Sequence, residues 1–490
     1  MKNYIDGEWT GSSTGEVLEK KNPSTGESVG NFPSASREDV NRAIDAAETA
    51  FERWNSLGSR ERSRIIVRTA DLVREKRNEL ENILILENGK VPVQAGEEVD
   101  GVLDQLLYYA GFERKITGEV VEGDSPKRVI LQYRTPYGVV AALTPWNFPA
   151  AMVARKLAPA LLTGNTVVLK PSSDTPMSAE WIVRKFLEAG VPRGVVNFVT
   201  GKGSEIGDHL VSHRKVSLVT MTGSTGTGQR IMTKTAANMA KLVLELGGKA
   251  PFIVWDDADI VNSLKSLIWA KFWNGGQSCI AAERLYVHEK VYDRFVEKFV
   301  SATEKMRVGD PNTSDMGPLI NRGAVEATEK FVNAASGSGM KILTGGKKPE
   351  LKGKFSKGYF YLPTIIDHAD QESPIFQEEI FGPVIGVQIV STLDEALERA
   401  NDSRYGLASY IFSKDNRVVF EAAEKLRFGE IYVNMPGPES SQGYHTGFRL
   451  TGQAGEGSKY GIEEYVKLKN VYLDYSGKPL HIGSVREDLF

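Results

Sequence analysis

The sequence is poor in the residues that build metal centres and disulfides: among 490 residues there is one cysteine, Cys279, and six histidines. A single thiol closes no internal disulfide. The histidines are scattered without paired spacing, so no metal site is expected. Charge of one sign is also missing, because 60 Lys and Arg stand against 63 Asp and Glu, a formal net charge of −3. That balance offers neither a basic face for nucleic acid nor an acidic tail. No stretch approaches the roughly 18 apolar residues of a membrane span, and the first thirty residues are polar and charged, with no apolar run behind a basic start. The expectation is a cytoplasmic protein with no nucleic-acid or membrane partner. Low-complexity segments and repeats of solenoid period are missing as well.

What is present is the composition of a large folded chain, 41% hydrophobic and 25% charged, long enough for two or three structural units. The Gly- and Ser-rich stretch 11–15 reads as turns. Helices dominate from Ser36 to about Gly111, with Ser36 as N-cap because Glu38 and Asp39 follow it. From Gly138 the pattern changes to short apolar runs at 139–143, 166–169, 195–199, 216–221 and 242–244. Helix-compatible stretches at 150–162, 177–189, 204–211 and 229–240 separate them, which predicts βα units and a parallel sheet. A second α/β series has strands at 252–255, 285–287, 384–390, 410–412 and 431–433, with helices such as 292–305 and 393–401. Two lobes imply a cleft. The β-favouring segments 128–133 and 465–475 belong to neither series and read as edge strands or as an arm that pairs subunits.

Four features carry possible chemistry. Cys279 ends Asn274-Gly-Gly-Gln-Ser-Cys, a turn-rich stretch whose glycines let backbone approach a reacting group; a lone cysteine is otherwise an inert buried residue. Glu245 closes an apolar run and precedes Leu246-Gly-Gly-Lys249, at a strand end where open α/β sheets bind ligands; the alternative is a salt-bridged glutamate. Asn147 lies in Thr144-Pro-Trp-Asn-Phe-Pro149, where two prolines restrict the turn, so its amide is either an oxyanion donor or a turn residue. The cluster Gly223-Ser-Thr-Gly-Thr-Gly228 follows a strand and opens a helix, a place for a pyrophosphate or merely a loop.

These motifs, together with Lys170-Pro171 and Glu378-Glu-Ile-Phe-Gly-Pro383, occur in the order that resembles the aldehyde dehydrogenase superfamily, and the resemblance spans nearly the whole chain. It implies an α/β fold of two Rossmann-type lobes plus a small β oligomerisation arm. The expected division is 1–120 with 138–247 for the cofactor, 248–445 for catalysis, and 121–137 with 460–490 for the arm. By resemblance, Cys279 is the nucleophile, Glu245 the general base and Asn147 an oxyanion donor beside the backbone N–H of Cys279. The implied cofactor residues are Thr144, Pro145, Trp146, Lys170, Ser172, Ser173, Gly203, Gly223, Ser224, Gly228, Leu246, Glu379 and Phe381. A glutamate at position 245 favours hydrolysis over transfer to coenzyme A. A non-catalytic member of the same fold is the reading from another class.

The substrate expected by resemblance is a small hydroxyaldehyde such as glyceraldehyde or lactaldehyde. Phe148 and Arg155 lie near Asn147, and His445 lies in a tail that resembles lactaldehyde dehydrogenases; the Arg155-Lys156 pair keeps succinic semialdehyde as the alternative. NADP is expected over NAD because Ser173 stands where NAD-preferring relatives carry a glutamate, whose charge would repel a 2′-phosphate. The other reading makes Ser173 a helix-start residue. A homotetramer is expected.

Overall fold

Uninterrupted apolar runs become strands covered on both faces. Val139–Leu143 and Thr166–Lys170 are buried almost throughout and lie side by side in parallel register. The computed structural model describes residues 1–477; residues 478–490, the end of the expected arm, lie outside the described residues. The first sheet runs Glu8–Thr10, Asn3–Ile5, Val196–Phe198, Thr166–Lys170, Val139–Leu143, Val216–Thr222, Lys241–Glu245, Gly452–Gln453. Its five central strands are parallel. Successive side chains alternate between two cores, Val140 and Ala142 in one, Val139 and Ala141 in the other. Strand order reverses beside Val139–Leu143, which opens a crevice at the carboxyl ends of the strands.

The second sheet runs Lys341–Thr344, Thr364–Asp367, Val384–Val390, Ala282–His288, Ala250–Val254, Ala408–Phe412, Glu430–Val433, parallel except at its first strand. Glu119–Glu122, Arg128–Pro136 and Val466–Asp474 form a separate antiparallel sheet, with Val466 opposite Pro136 and Asp474 opposite Arg128. The two leftover segments thus pair with each other. No helix among the described residues is long and apolar enough to cross a membrane.

Ser36 caps the helix Arg37–Ser56 through a reciprocal pair of bonds with Asp39. Other boundaries differ from the sequence reading. The helix read as 229–240 spans Thr225–Thr235: Ser224 caps it early, and the Asn238 amide donates to the carbonyls of Val211, His213 and Val216, which draws the following chain into a turn. The stretch 204–211 begins as a wide π-turn, Gly203–Gly207, before the short helix Asp208–Val211. The stretch 11–15 holds no strand, in keeping with its reading as turns, but the four short strands on either side of it, within the first 33 residues, were not read from the sequence. Ser173 is not the start of a helix: Pro176–Glu188 follows Thr175, and the Ser173 hydroxyl donates to Gly201 O at 2.9 Å.

Candidate active site

Cys279 is delivered by a backbone that few residues tolerate. The helix Ile260–Phe272 ends in Asn274, Gly275 and Gly276 with φ of 51°, 65° and 74°. A Cβ on Gly276 would stand 2.4 Å from Gly382 O, so the left-handed turn and the close approach both require glycine there. Gln277 pins the turn, donating to Asn274 O at 2.8 Å and accepting from Ile320 N–H at 2.9 Å. From the other side, the chain behind Glu245 comes so close that a Cβ on Gly248 would lie 2.2 Å from Cys279 O.

Half-buried Cys279 faces a cavity of about 420 Å³ that Asn147, Phe148, Arg155, Glu245 and His445 also line. Every residue expected to act on or bind the substrate is therefore in one place. Asn147 donates one side-chain amide hydrogen to Gln277 O at 3.1 Å, while its backbone carbonyl accepts from Lys90 Nζ at 2.8 Å and Asn274 Nδ2 at 3.1 Å. The amide is thus held with a second N–H to spare. Glu245 ends the strand Lys241–Glu245, and both of its carboxylate oxygens are buried without a hydrogen-bond partner. Burial pushes its pKa up to about 8, against the pull of His445. Nearby, Lys156 Nζ donates to Glu456 at 2.6 Å and Thr220 at 3.0 Å.

The far wall is polar. Arg155 is 5% exposed, not a surface residue, and ion-pairs with Glu439. Burial works against the Glu439 charge, but Arg155 and His445 hold its pKa down to about 2. The short pairing of His445–Thr446 with Gly455–Glu456 presents His445 to the cavity. Burial opposes its charge, yet Glu439 and Glu430 raise its pKa well above the ordinary histidine value. Phe148 packs against Trp273, its ring tilted by 30° with centroids 4.8 Å apart, and closes the side.

The other expected residues lie outside the cavity, around the crevice of the first sheet. Thr144, Pro145 and Trp146 follow its strand Val139–Leu143; Lys170, Ser172 and Ser173 follow Thr166–Lys170; Gly203 opens the wide turn; Gly223, Ser224 and Gly228 lead into Thr225–Thr235; Leu246 follows Lys241–Glu245. Glu379 and Phe381 reach over from the second lobe, Glu379 accepting from Gly248 N–H at 2.8 Å and Phe381 lying 5.3 Å edge-on from Trp146. Burial and Glu283 push the Glu379 pKa up to about 8. The crevice fits a dinucleotide. Buried Lys170 bonds only its neighbouring Pro171 carbonyl, and burial brings its pKa down to about 8, so the amine lacks an anionic partner. The Thr144 hydroxyl is buried and unpartnered. Gly203 and Gly226 border open space, and a Cβ on Gly228 would meet Leu246 at 2.6 Å, so the helix start sits close against the strand end. Ser172 is taken up by its own loop, accepting from Asp174 N–H at 3.2 Å.

The description of the aldehyde dehydrogenase family matches residues 9–471. The chain belongs to that family. It is 67% identical over 489 residues to a D-glyceraldehyde dehydrogenase (NADP(+)) of Thermoplasma acidophilum, covering 100% of this chain and 99% of the relative. It is 66% identical to the protein of that name from Picrophilus torridus, with the same coverage. A solved 3,6-anhydro-L-galactose dehydrogenase in complex with NAP superposes with a TM-score of 0.94 at 39% identity, over 96% of this chain and 99% of that one.

For this aldehyde dehydrogenase, sequence reasoning missed Glu430, Glu439, Glu456 and the role of Lys156. One signal was available: Arg155 and Lys156 are the only charges in the helix Pro149–Leu162, which is otherwise apolar and buried. Charges in such a helix require partners, and the partners are Glu439 and Glu456. Those carboxylates lie about 300 residues further on, and nothing local marks them.

Proposed function

We propose that this chain oxidises a small hydroxyaldehyde, glyceraldehyde or lactaldehyde, to its carboxylic acid, with NADP as the preferred hydride acceptor and a thioester on Cys279 as the intermediate. One observation carries the reading: the cavity that holds Cys279, Glu245 and Asn147 ends in the charged wall of Arg155, Glu439 and His445. A wall of that kind recognises hydroxyl groups and would leave an alkyl or aromatic chain against buried charge. The names of the two relatives at 66–67% identity support the same substrate and cofactor.

In this mechanism the Cys279 sulfur attacks the aldehyde carbon, and the spare N–H of Asn147 with the backbone N–H of Cys279 receives the developing alkoxide. The bound nicotinamide supplies the acceptor for the hydride that leaves that carbon. Glu245 then takes a proton from water as the water attacks the thioester, and Asn147 again holds the oxyanion. Phe148 and Trp273 keep the aldehyde against the sulfur and limit water. The cofactor unit is assigned to 1–120 with 138–247 and the catalytic unit to 248–445.

NADP preference rests on Ser173. The Lys170 amine, without an anionic partner, offers donors to a 2′-phosphate, and the Ser173 hydroxyl joins it on turning away from Gly201 O. A glutamate at position 173 would bring a carboxylate toward that phosphate, where like charges would repel by a few kcal/mol in a partly solvated site. Initial rates across glyceraldehyde, lactaldehyde and succinic semialdehyde, each with NADP and NAD, test both assignments. Wild type should favour hydroxyaldehydes and NADP. Ser173→Glu should move the NADP to NAD ratio of kcat/KM toward NAD by roughly a hundredfold. A higher kcat/KM for succinic semialdehyde overturns the substrate, and an unchanged cofactor ratio places specificity elsewhere.

The arm is assigned to 121–137 and 460–490. Val120, Leu468, Tyr472 and Tyr475 are exposed on or beside the three-stranded sheet, an apolar surface typical of a subunit contact. Light scattering should give four times the chain mass of 53.9 kDa, and a monomer at micromolar concentration would remove the arm's proposed role.

A further inference from the structure

We propose that His445, as an imidazolium clamped between Glu430 and Glu439, is the counter-ion of the Cys279 thiolate. This rests on the reading of Cys279 as the nucleophile and adds a catalytic residue to it. The geometry comes first. His445 Nδ1 lies 3.2 Å from Glu430 Oε1 and 3.5 Å from Glu439 Oε1. Each carboxylate has its other oxygen engaged: Glu439 Oε2 by Arg155, and Glu430 Oε2 by the Tyr432 hydroxyl at 3.0 Å. Two acceptor oxygens are thereby fixed toward one ring nitrogen. A lone pair there would face two negative oxygens, so Nδ1 carries a proton. Neither contact is a well-angled hydrogen bond, so the ring is held by charge and packing.

The other nitrogen, Nε2, stands 3.7 Å from Glu245 Oε2. The ring lines the same cavity as Cys279. The charged groups around His445 are therefore Glu430 at the start of its strand, Glu439 on the loop that follows, Glu245 at the end of the first sheet's strand, Glu456 on the paired strand, and Cys279 itself. Arg155 and Lys156 act through Glu439 and Glu456. Arg155 lines the cavity too, but its charge is taken up by Glu439, which leaves His445 as the cation for the sulfur.

Such a cation answers a difficulty in the mechanism. The thiolate, not the thiol, is the nucleophile, and burial works against forming it: burial pushes the Cys279 thiol up, while His445 pulls it back. Glu245 is a poor base for the thiol at neutral pH, since its own carboxyl stays largely protonated until about pH 8. An imidazolium stabilises the thiolate by charge alone, with the thiol proton released to solvent through the cavity mouth. His445 then serves the sulfur, and Glu245 is reserved for water.

Because the chain has one cysteine, iodoacetamide alkylation of the cofactor-free protein, followed by intact mass, reports on Cys279 alone. A carbon–sulfur bond forms and iodide leaves, with no aldehyde or cofactor involved. The rate should be measured from pH 5 to pH 10 for wild type, His445→Gln and His445→Asn. The variants should displace the midpoint upward by about one pH unit or more, so that the rate at pH 7 falls at least roughly tenfold. At the alkaline plateau, where the thiolate forms regardless, variants and wild type should agree within about threefold. A lowered plateau with an unmoved midpoint would mean that His445 only shapes the cavity, and coincident profiles would likewise overturn the ion pair. Where one variant loses its thermal transition, the other decides. An unmoved midpoint removes the ion pair and leaves the dehydrogenase reading intact; failure to oxidise glyceraldehyde would remove that reading and leave the midpoint as it is.

Discussion

Cys279→Ala is expected to lower aldehyde oxidation by roughly 10⁴-fold or more while leaving NADP affinity and the thermal transition close to wild type. The sulfur contributes a covalent bond that alanine cannot form, and no other cysteine exists to take its place. The residues assigned to the cofactor lie outside the cavity, around the carboxyl ends of the first sheet, so the substitution does not touch them. The cost to the fold is small, because Cys279 is half-buried against an open cavity and the turn that carries it is fixed by Gly276, Gly248 and Gln277. Reduced cofactor formed with glyceraldehyde measures activity, and a fluorescence titration with NADP measures binding. Residual activity within tenfold of wild type would show that the sulfur is not the nucleophile.

The residues named in that experiment were legible in the chain, because the sites lie where local sequence and fold agree. Apolar runs such as 139–143 had one sensible fate, and Pro145 and Pro149 bracket Asn147 at a strand end. The glycines before Cys279 mark a backbone that other residues do not adopt. The first four strands were not legible: they are three to six residues long, mostly polar and partly exposed, so they lack the alternation that identifies longer strands. The polar wall was half legible. Arg155 and His445 could be named, but Glu430 and Glu439 gain their meaning only when the second sheet and the loop after Val433 fold back onto the helix Pro149–Leu162. Likewise the pairing of 128–136 with 466–474 joins segments more than 300 residues apart, and only topology reveals it.

Glu245→Gln should separate the two halves of the reaction. Gln keeps the size of the side chain and cannot accept a proton, so acylation, hydride departure included, should proceed once and hydrolysis should stall. The expected record is a burst of close to one reduced cofactor per subunit, followed by a steady rate lower than wild type by roughly 10²–10⁴-fold. The fold should tolerate the change, since neither oxygen of the Glu245 carboxyl has a hydrogen-bond partner to lose and a buried carboxyl that is largely neutral below about pH 8 is replaced by a neutral amide of the same size. The pH dependence fixes the assignment further. Burial raises the Glu245 carboxyl to about 8, so its base form grows as pH increases through that value. Where hydrolysis limits wild-type turnover, kcat should therefore climb with pH and level off above about 8, and the burst should not follow the same curve. In Glu245→Gln that limb should vanish from the steady rate. Rapid mixing at several pH values reads both quantities in one experiment. A variant that binds NADP but gives no burst would make Glu245 necessary for forming the thioester, and a full steady rate would place the base that activates water at another residue.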